Sequence, residues 1–217
     1  MRQTGSMDRP MTADEVLTTT RAVRKRLDLT RPVPREVLRE CLRIALQAPN
    51  GSNRQLWRFV VVDDPDTRAA MAEIYRDSLA VYRSDLALPA VDWASPANQR
   101  MGASVDYLRD HLHEVPVLVI PAIEARLDGV SIGDQAHLWG SILPAAWSFM
   151  LALRSRGLGS VWTTVHLQQE QRMAELLGIP FDRVTQAGLF PVAYTIGTDF
   201  KTGHRTLTDE VLHFDRW

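Results

Sequence analysis

The chain reads as a mixed helix–strand protein, α/β or α+β, with a small central sheet. Amphipathic helical stretches alternate with a few short β-rich runs, and no two runs are joined by a tight two-residue hairpin. At 217 residues, 45% hydrophobic and 24% charged, the chain suits one ordinary domain with a substantial core and leaves no case for global disorder. One long helical stretch is apolar on most sides, as helices are at a protein's centre or in an interface. With so few strands to cover it, a partner subunit is expected to complete the core.

Residues 1–11 lack the apolar core of a signal peptide and read as a flexible extension; 12–217 read as a single domain. Thr12 and Glu15 form a capping-box pattern that opens a first helix toward Val23. Pro32 and Pro34 break the chain, and Pro34 suits the first turn of a second helix, with Val37, Leu38, Cys41, Leu42, Ala45 and Leu46 on its apolar stripe. Pro49 stops it. Trp57 to Val62 is a strand ended by Asp63-Asp64-Pro65, and a helix follows from about Asp66. The Ala/Pro-rich stretch from Leu86 to Pro96 reads as a surface flap. Met101, Val105, Leu108 and Leu112 mark another helix; Val115 to Pro121 is wholly apolar, as a strand buried on both faces should be. The apolar helix runs from Asp134 to Arg156, with Pro144 set to kink it or break its hydrogen-bond ladder. Val161 to Val165 reads as a strand, Glu170 to Leu177 as a helix closed by Gly178, Phe190 to Ile196 as the last strand, and Lys201 to Trp217 as an irregular tail.

A net charge of −1 gives no bulk electrostatic footprint for nucleic acid or an anionic membrane. No apolar run approaches 18 residues, so no membrane span is expected. The single cysteine, Cys41, excludes an intrachain disulfide, fits a reducing cytoplasm, and reads as a small buried hydrophobe rather than a catalytic thiol.

Common catalytic constellations are missing. Gly157-Leu158-Gly159 opens like a dinucleotide fingerprint, but the sixth position is Trp162 and the segment precedes a strand instead of following one. His111 and His113 have the wrong spacing for a zinc motif. There is no nucleophile elbow. If the chain is an enzyme, a cofactor performs the hard step. The informative stretch is Ala48-Pro49-Asn50-Gly51-Ser52-Asn53-Arg54-Gln55-Leu56-Trp57, a polar loop dense in backbone N–H groups and short amides that suits a flat polar ligand. Three basic places could hold a phosphate: Arg21 to Arg26 at the end of the first helix, Arg54 and Arg58 beside the loop, and His204-Arg205 in the tail.

Together these pieces resemble the flavin-dependent nitroreductase family. The resemblance rests on Arg21-Ala22-Val23-Arg24, Pro32-Val33-Pro34, the block Ala48-Pro49 to Trp57-Arg58-Phe59, the segment Arg156-Gly157-Leu158-Gly159-Ser160-Val161-Trp162-Thr163-Thr164, and His204-Arg205-Thr206-Leu207. It implies an α+β fold: a three-layer α/β/α arrangement with a small central mixed sheet and the long helix at the interface of an obligate homodimer. It also implies FMN at that interface. Arg21, Ala22, Val23 and Arg24 would then hold the phosphate and ribityl chain, joined by Arg205. Pro49, Asn50, Gly51, Ser52, Asn53 and Gln55 would line the flavin ring, from the other subunit. Val161, Trp162, Thr163 and Thr164 would lie along the isoalloxazine. Ala22 replaces the family's usual serine and removes one phosphate contact, worth roughly 1 kcal/mol; Leu56 replaces the usual proline beside Trp57. The implied reaction is ping-pong: NADPH or NADH gives a hydride to the flavin, then a small electron-poor acceptor, a nitroaromatic or a quinone, takes its place. No metal and no side-chain general acid are called for. The 82–99 segment with Trp93 is expected to set acceptor choice. The resemblance also admits a dehalogenase, an enone or semialdehyde reductase, or a non-catalytic FMN-binding or storage protein.

Overall fold

The structure is a computed structural model that describes residues 10–84, 94–205 and 211–217. Most of the expected N-terminal extension, most of the 86–96 stretch including Trp93, and part of the tail lie outside the described residues.

Among the described residues, six helices flank a five-stranded sheet. The first helix, α1 (Ala13–Thr19), carries the capping box, with Thr12 accepting from the Glu15 N–H and Glu15 accepting from the Thr12 N–H. It ends at Thr19, short of Val23. Thr18, Thr19 and Thr20 each turn a hydroxyl back onto the carbonyl four residues earlier, which competes with helix continuation. The helix α2 (Arg35–Ala45) follows Pro34 as expected and buries Leu38, Cys41 and Ala45. Burial pushes the Cys41 thiol up to about 11, which leaves it an inert core group. Strand β1 (Trp57–Val62) leads to α3 (Pro65–Ser84), whose start is held by Asp64 accepting from the Thr67 N–H at 2.8 Å. Next come α4 (Pro96–His111) and β2 (Val117–Ile123), the latter buried at every position.

The long helix α5 (Ile132–Arg154) continues through Pro144. By length and composition it could cross a membrane, contrary to the expectation from run length alone, but 44% of its apolar window is buried inside the molecule. It packs along α2 and behind the sheet as a core helix. After it comes β3 (Leu158–Ser160), not the expected strand over Val161 to Val165; that stretch leads into a 3-10 turn, Val165–Gln169. Then follow α6 (Glu170–Leu177), closed by Gly178 at φ 65°, the two-residue β4 (Thr185–Gln186), and β5 (Phe190–Tyr194).

The strand order is β1-β2-β5-β3, with β4 also pairing with β2. These pairings are antiparallel, and a parallel bridge joins Ala22 to Ser160. Alternation along β2 builds three layers. Val117 and Val119 face the α2 and α5 side with Phe149 and Leu153. Leu118, Ile120 and Ala122 face the α3 side with Met71, Ile74 and Tyr75.

Candidate functional site

The early end of α1 changes what Arg21 to Arg24 can do. They are not cations at a helix terminus but an extended segment lying against β3. The Val23 N–H donates to the Ser160 carbonyl at 2.9 Å, and Gly159 is so close that a Cβ there would come within 3.0 Å of Val23. The sheet therefore seats the Arg21–Arg24 segment directly beside the residues that run on into Val161–Thr164.

Arg24 is half-buried, and among the described residues it has no carboxylate partner; its guanidinium donates to Ser104 Oγ at 3.3 Å. Burial holds its guanidinium below the usual arginine range, with Tyr75 nearby acting the other way. A cation desolvated without a counter-charge is costly, and a bound anion would remove that cost. Arg21 is spoken for in part: it donates to the carbonyls of Lys201, Thr20 and Thr18. Those bonds aim it at the tail. A Cβ on Gly203 would lie 2.6 Å from Arg205 Nη1 and 3.1 Å from Arg21 Nη2, so the two guanidiniums converge there. Of the basic pair beside the loop, Arg58 is taken by Glu124.

Val161 is buried and Thr163 is bridged to Leu189, donating at 3.1 Å and accepting at 2.8 Å. Trp162 donates to the Ala187 carbonyl at 3.0 Å and meets Phe190 edge-on; a side chain on Gly188 would strike its ring. Thr164 stays exposed. Sequence reasoning missed Tyr75. Its buried hydroxyl lies 3.3 Å from Thr163 Oγ1 and it stands near Arg24, so it touches both parts of the site. Nothing marked it in the sequence, where it is one more position on an apolar helix stripe.

The loop from Pro49 to Gln55 lies elsewhere. Ser52, Asn53 and Gln55 all adopt positive φ, at 54°, 51° and 52°. Three left-handed non-glycine residues in four are strained, and strain of this kind collects at ligand sites. Asn50 Oδ1 holds the Gln55 N–H at 3.0 Å, and Gln55 Nε2 reaches Asn53 Oδ1 at 3.0 Å. The loop rests on the first half of α5: the Gly51 N–H donates to Ser141 Oγ at 3.0 Å, and a Cβ at Gly51 would fall 2.1 Å from the His137 ring. His137 and Ser141 were also unmarked in the sequence. In one chain, then, the loop meets α5 at His137 and Ser141, while the arginine segment lies near its C-terminal end, where Arg21 and Arg154 line one small pocket. From Ser141 to Arg154 the helix rises about 20 Å.

A cleft of about 390 Å³ lies between Arg126, Trp139, Glu170 and Gln186. It shares no predicted site residue. Its arginine is saturated by Asp128, by Glu170 at 2.9 Å and by the Val184 carbonyl at 3.1 Å, so it offers no free cation.

A model of the nitroreductase family matches residues 17–194. The chain is 27% identical over 165 residues to iodotyrosine deiodinase 1 of Rattus norvegicus, covering 75% of this chain and 55% of that protein. It thus spans about half the length of the curated deiodinases it matches. Among solved structures, iodotyrosine deiodinase bound to FMN and 3-iodo-L-tyrosine superposes with a TM-score of 0.71 at 20% identity, over 93% of this chain and 98% of that one. The FMN- and NADPH-dependent nitroreductase NfnB from Sphigopyxis sp. strain HMH superposes with a TM-score of 0.70 at 19% identity, over 95% and 100%.

Proposed function

The chain belongs to the nitroreductase family, and from that premise we propose that it is a homodimeric FMN-dependent oxidoreductase of the cytoplasm. It would take hydride from NADPH or NADH and reduce small electron-poor acceptors of the nitroaromatic or quinone type. The observation that carries this reading is the seating of the Arg21–Arg24 segment beside the 160–164 segment, with the Arg21 and Arg205 guanidiniums converging near Gly203 and Arg24 lacking any carboxylate among the described residues.

FMN fits the residues present. Its phosphate meets the charge that Arg24, Arg21 and Arg205 leave uncompensated, and arginine forks match phosphate oxygens. Trp162, Thr163 and Thr164 offer a flat, partly apolar wall for the ring, with Val161 and Val23 fixing its backing. When bound, FMN supplies the two-electron chemistry that no side chain here provides. The chain's part is to hold the ring, stabilise negative charge near it and exclude water.

The loop Pro49 to Gln55 would come from the partner subunit. What α5 leaves uncovered supports a second copy: Ile132 is 86% exposed, and Leu143 and Trp147, further along the helix, are also open. In the tail, Val211, Leu212, Phe214 and Trp217 are exposed. Exposed apolar groups along one helix suit an interaction surface. The 82–99 segment is proposed to shape the acceptor pocket.

The visible spectrum of the purified protein, before and after NADPH or NADH under anaerobic conditions, tests the reading. Flavin bands that bleach with one donor support it and name the donor. Bound flavin that stays oxidised with both donors points to a storage protein, and a colourless protein that cannot take up FMN removes the reading. The deiodinase relatives favour one second reading, a reductive dehalogenase on the same fold. Halide release from a halogenated phenol, exceeding nitro or quinone reduction, would select it.

A further inference from the structure

At the sheet edge opposite β3 and the arginine segment, β1 pairs with β2 alone among the described residues. A slot of about 250 Å³ opens there between β1 and α2. Phe59 and Val61, two apart on the strand, turn to the same face and form one wall. Leu38 and Leu42, four apart on the helix, form the other. Buried Val119 and Phe149 make the floor, with the Phe149 ring 5.9 Å from that of Phe59. Val61 is 39% exposed, so the slot stands open to water. An apolar recess of this kind gains from a ligand that takes its walls out of water.

The charged residues lining the slot are Arg35 and Arg39, set at the same four-residue step as the leucines; no carboxylate lines it. The two arginines differ in what they hold. Arg35 grips Asp63 in a fork, Nε to Oδ2 at 2.6 Å and Nη2 to Oδ1 at 2.7 Å. Arg39 reaches Glu36 at a long 3.4 Å, and Glu36 also takes Arg43 at 3.3 Å. Glu40 is turned away to Arg156, at 3.5 Å. Two guanidiniums thus share one carboxylate, and the rim carries an excess positive charge. The Arg39 side chain is 65% exposed, so its fork is open to a second acceptor.

An apolar trough with a cation on its rim matches an aliphatic chain that ends in a carboxylate. The hydrocarbon replaces water against Leu38, Leu42, Phe59 and Val61, and the carboxylate meets the guanidinium fork. Pockets for drug-sized ligands begin at roughly 300 Å³, so the chain is a short one. We propose that this slot binds a medium-chain aliphatic monocarboxylate, its tail between α2 and β1 and its carboxylate on Arg39. In sequence α2 and β1 flank the 49–55 loop, so the occupant ties together the two elements from which that loop springs. None of the slot's residues is assigned to the flavin, so the two readings are decided separately.

Octanoate is the probe, with octanol as its uncharged control. Isothermal titration of the purified full chain should show saturable octanoate binding, roughly tenfold or more tighter than octanol. Arg39→Gln, at a surface position, should erase that margin. Val61→Glu, which sets a carboxylate in the exposed wall, should remove octanoate binding. Melting curves check that both variants fold, and if Val61→Glu does not, Arg39→Gln and the wild-type comparison decide. A crystal grown with octanoate should place its carboxylate on Arg39. No saturable binding, equal binding of octanoate and octanol, or binding that the variants leave unchanged overturns the proposal. So does a crystal in which a segment of a second copy fills the slot. The flavin bands of the same samples report on the flavin reading independently.

Discussion

Two arginine-centred regions of this molecule are built from similar parts and do opposite things. Around Arg126 every guanidinium nitrogen is engaged: Asp128, Glu170 and the carbonyls of Phe181 and Val184 accept from it, Phe181 stacks on it, and its guanidinium is held above the usual range chiefly by Glu170. Around Arg24 there is one long bond to a serine, and burial pushes the guanidinium the other way. A saturated buried cation is structure. A desolvated cation without an anion is a place for one. If this contrast is sound, substitutions in the first region act on stability and leave flavin affinity alone, and substitutions in the second do the reverse.

The largest effect is expected from Arg126→Met. It leaves Glu170 without its counter-charge in a poorly hydrated place, at a cost of about 3 kcal/mol or more in unfolding free energy. Denaturant melts should show this, while flavin titration of the folded fraction stays unchanged. A lost flavin site with normal stability would break the comparison.

Acid tests the same region through His166, which is fully buried in the turn before Glu170 and held down to about 4 by burial. Unfolded, it takes a proton near 6.5. Below 6.5 the unfolded chain therefore binds more protons than the folded one. Stability is complete above that pH and falls toward pH 4, by up to about 3 kcal/mol. Melting against pH should show this slope, and His166→Leu should flatten it.

In the open region, Arg24→Gln should weaken flavin binding roughly 10- to 100-fold, the worth of about 1.5–3 kcal/mol for a charge-assisted bond, with the flavin-free protein no less stable. Isothermal titration and apo-protein melts separate the two. The smallest effect belongs to Tyr75→Phe. Losing the neutral contact to Thr163 should raise the flavin dissociation constant by roughly fivefold, about 1 kcal/mol, and shift the bound flavin's reduction potential. An unchanged potential would mean Tyr75 is packing only.

The sequence made some of this legible and hid the rest for reasons that can be named. Strand β1 and helix α6 are read to the residue, because Asp63-Asp64-Pro65 and Gly178 punctuate them locally. Strand β3 is misplaced. The β-branched run from Val161 to Val165 has the propensity, but Leu158 to Ser160 has the partner in β5, and tertiary pairing wins. Strand β4 is two residues long and has no local signature. The end of α1 turned on three back-bonding threonines. For the site, residue types along Arg21–Arg24, Pro49–Gln55 and Val161–Thr164 carried the proposed flavin chemistry. Their grouping did not follow from sequence: Arg24 meets Ser104 across 80 residues, and Thr163 meets Tyr75 across 88.

The central claim is that one flavin site is made by two chains, the arginines from one and the Gly51 loop from the other. Gly51→Ala forces a methyl onto His137 and should cripple the loop; Arg24→Gln cripples the phosphate end. Each homodimer should bind FMN weakly. A purified heterodimer of the two variants, isolated by distinct tags, should regain one tight site per dimer, because one arginine segment and one loop remain intact across the interface. A heterodimer that binds no better than its parents would place both halves in the same chain and contradict the account.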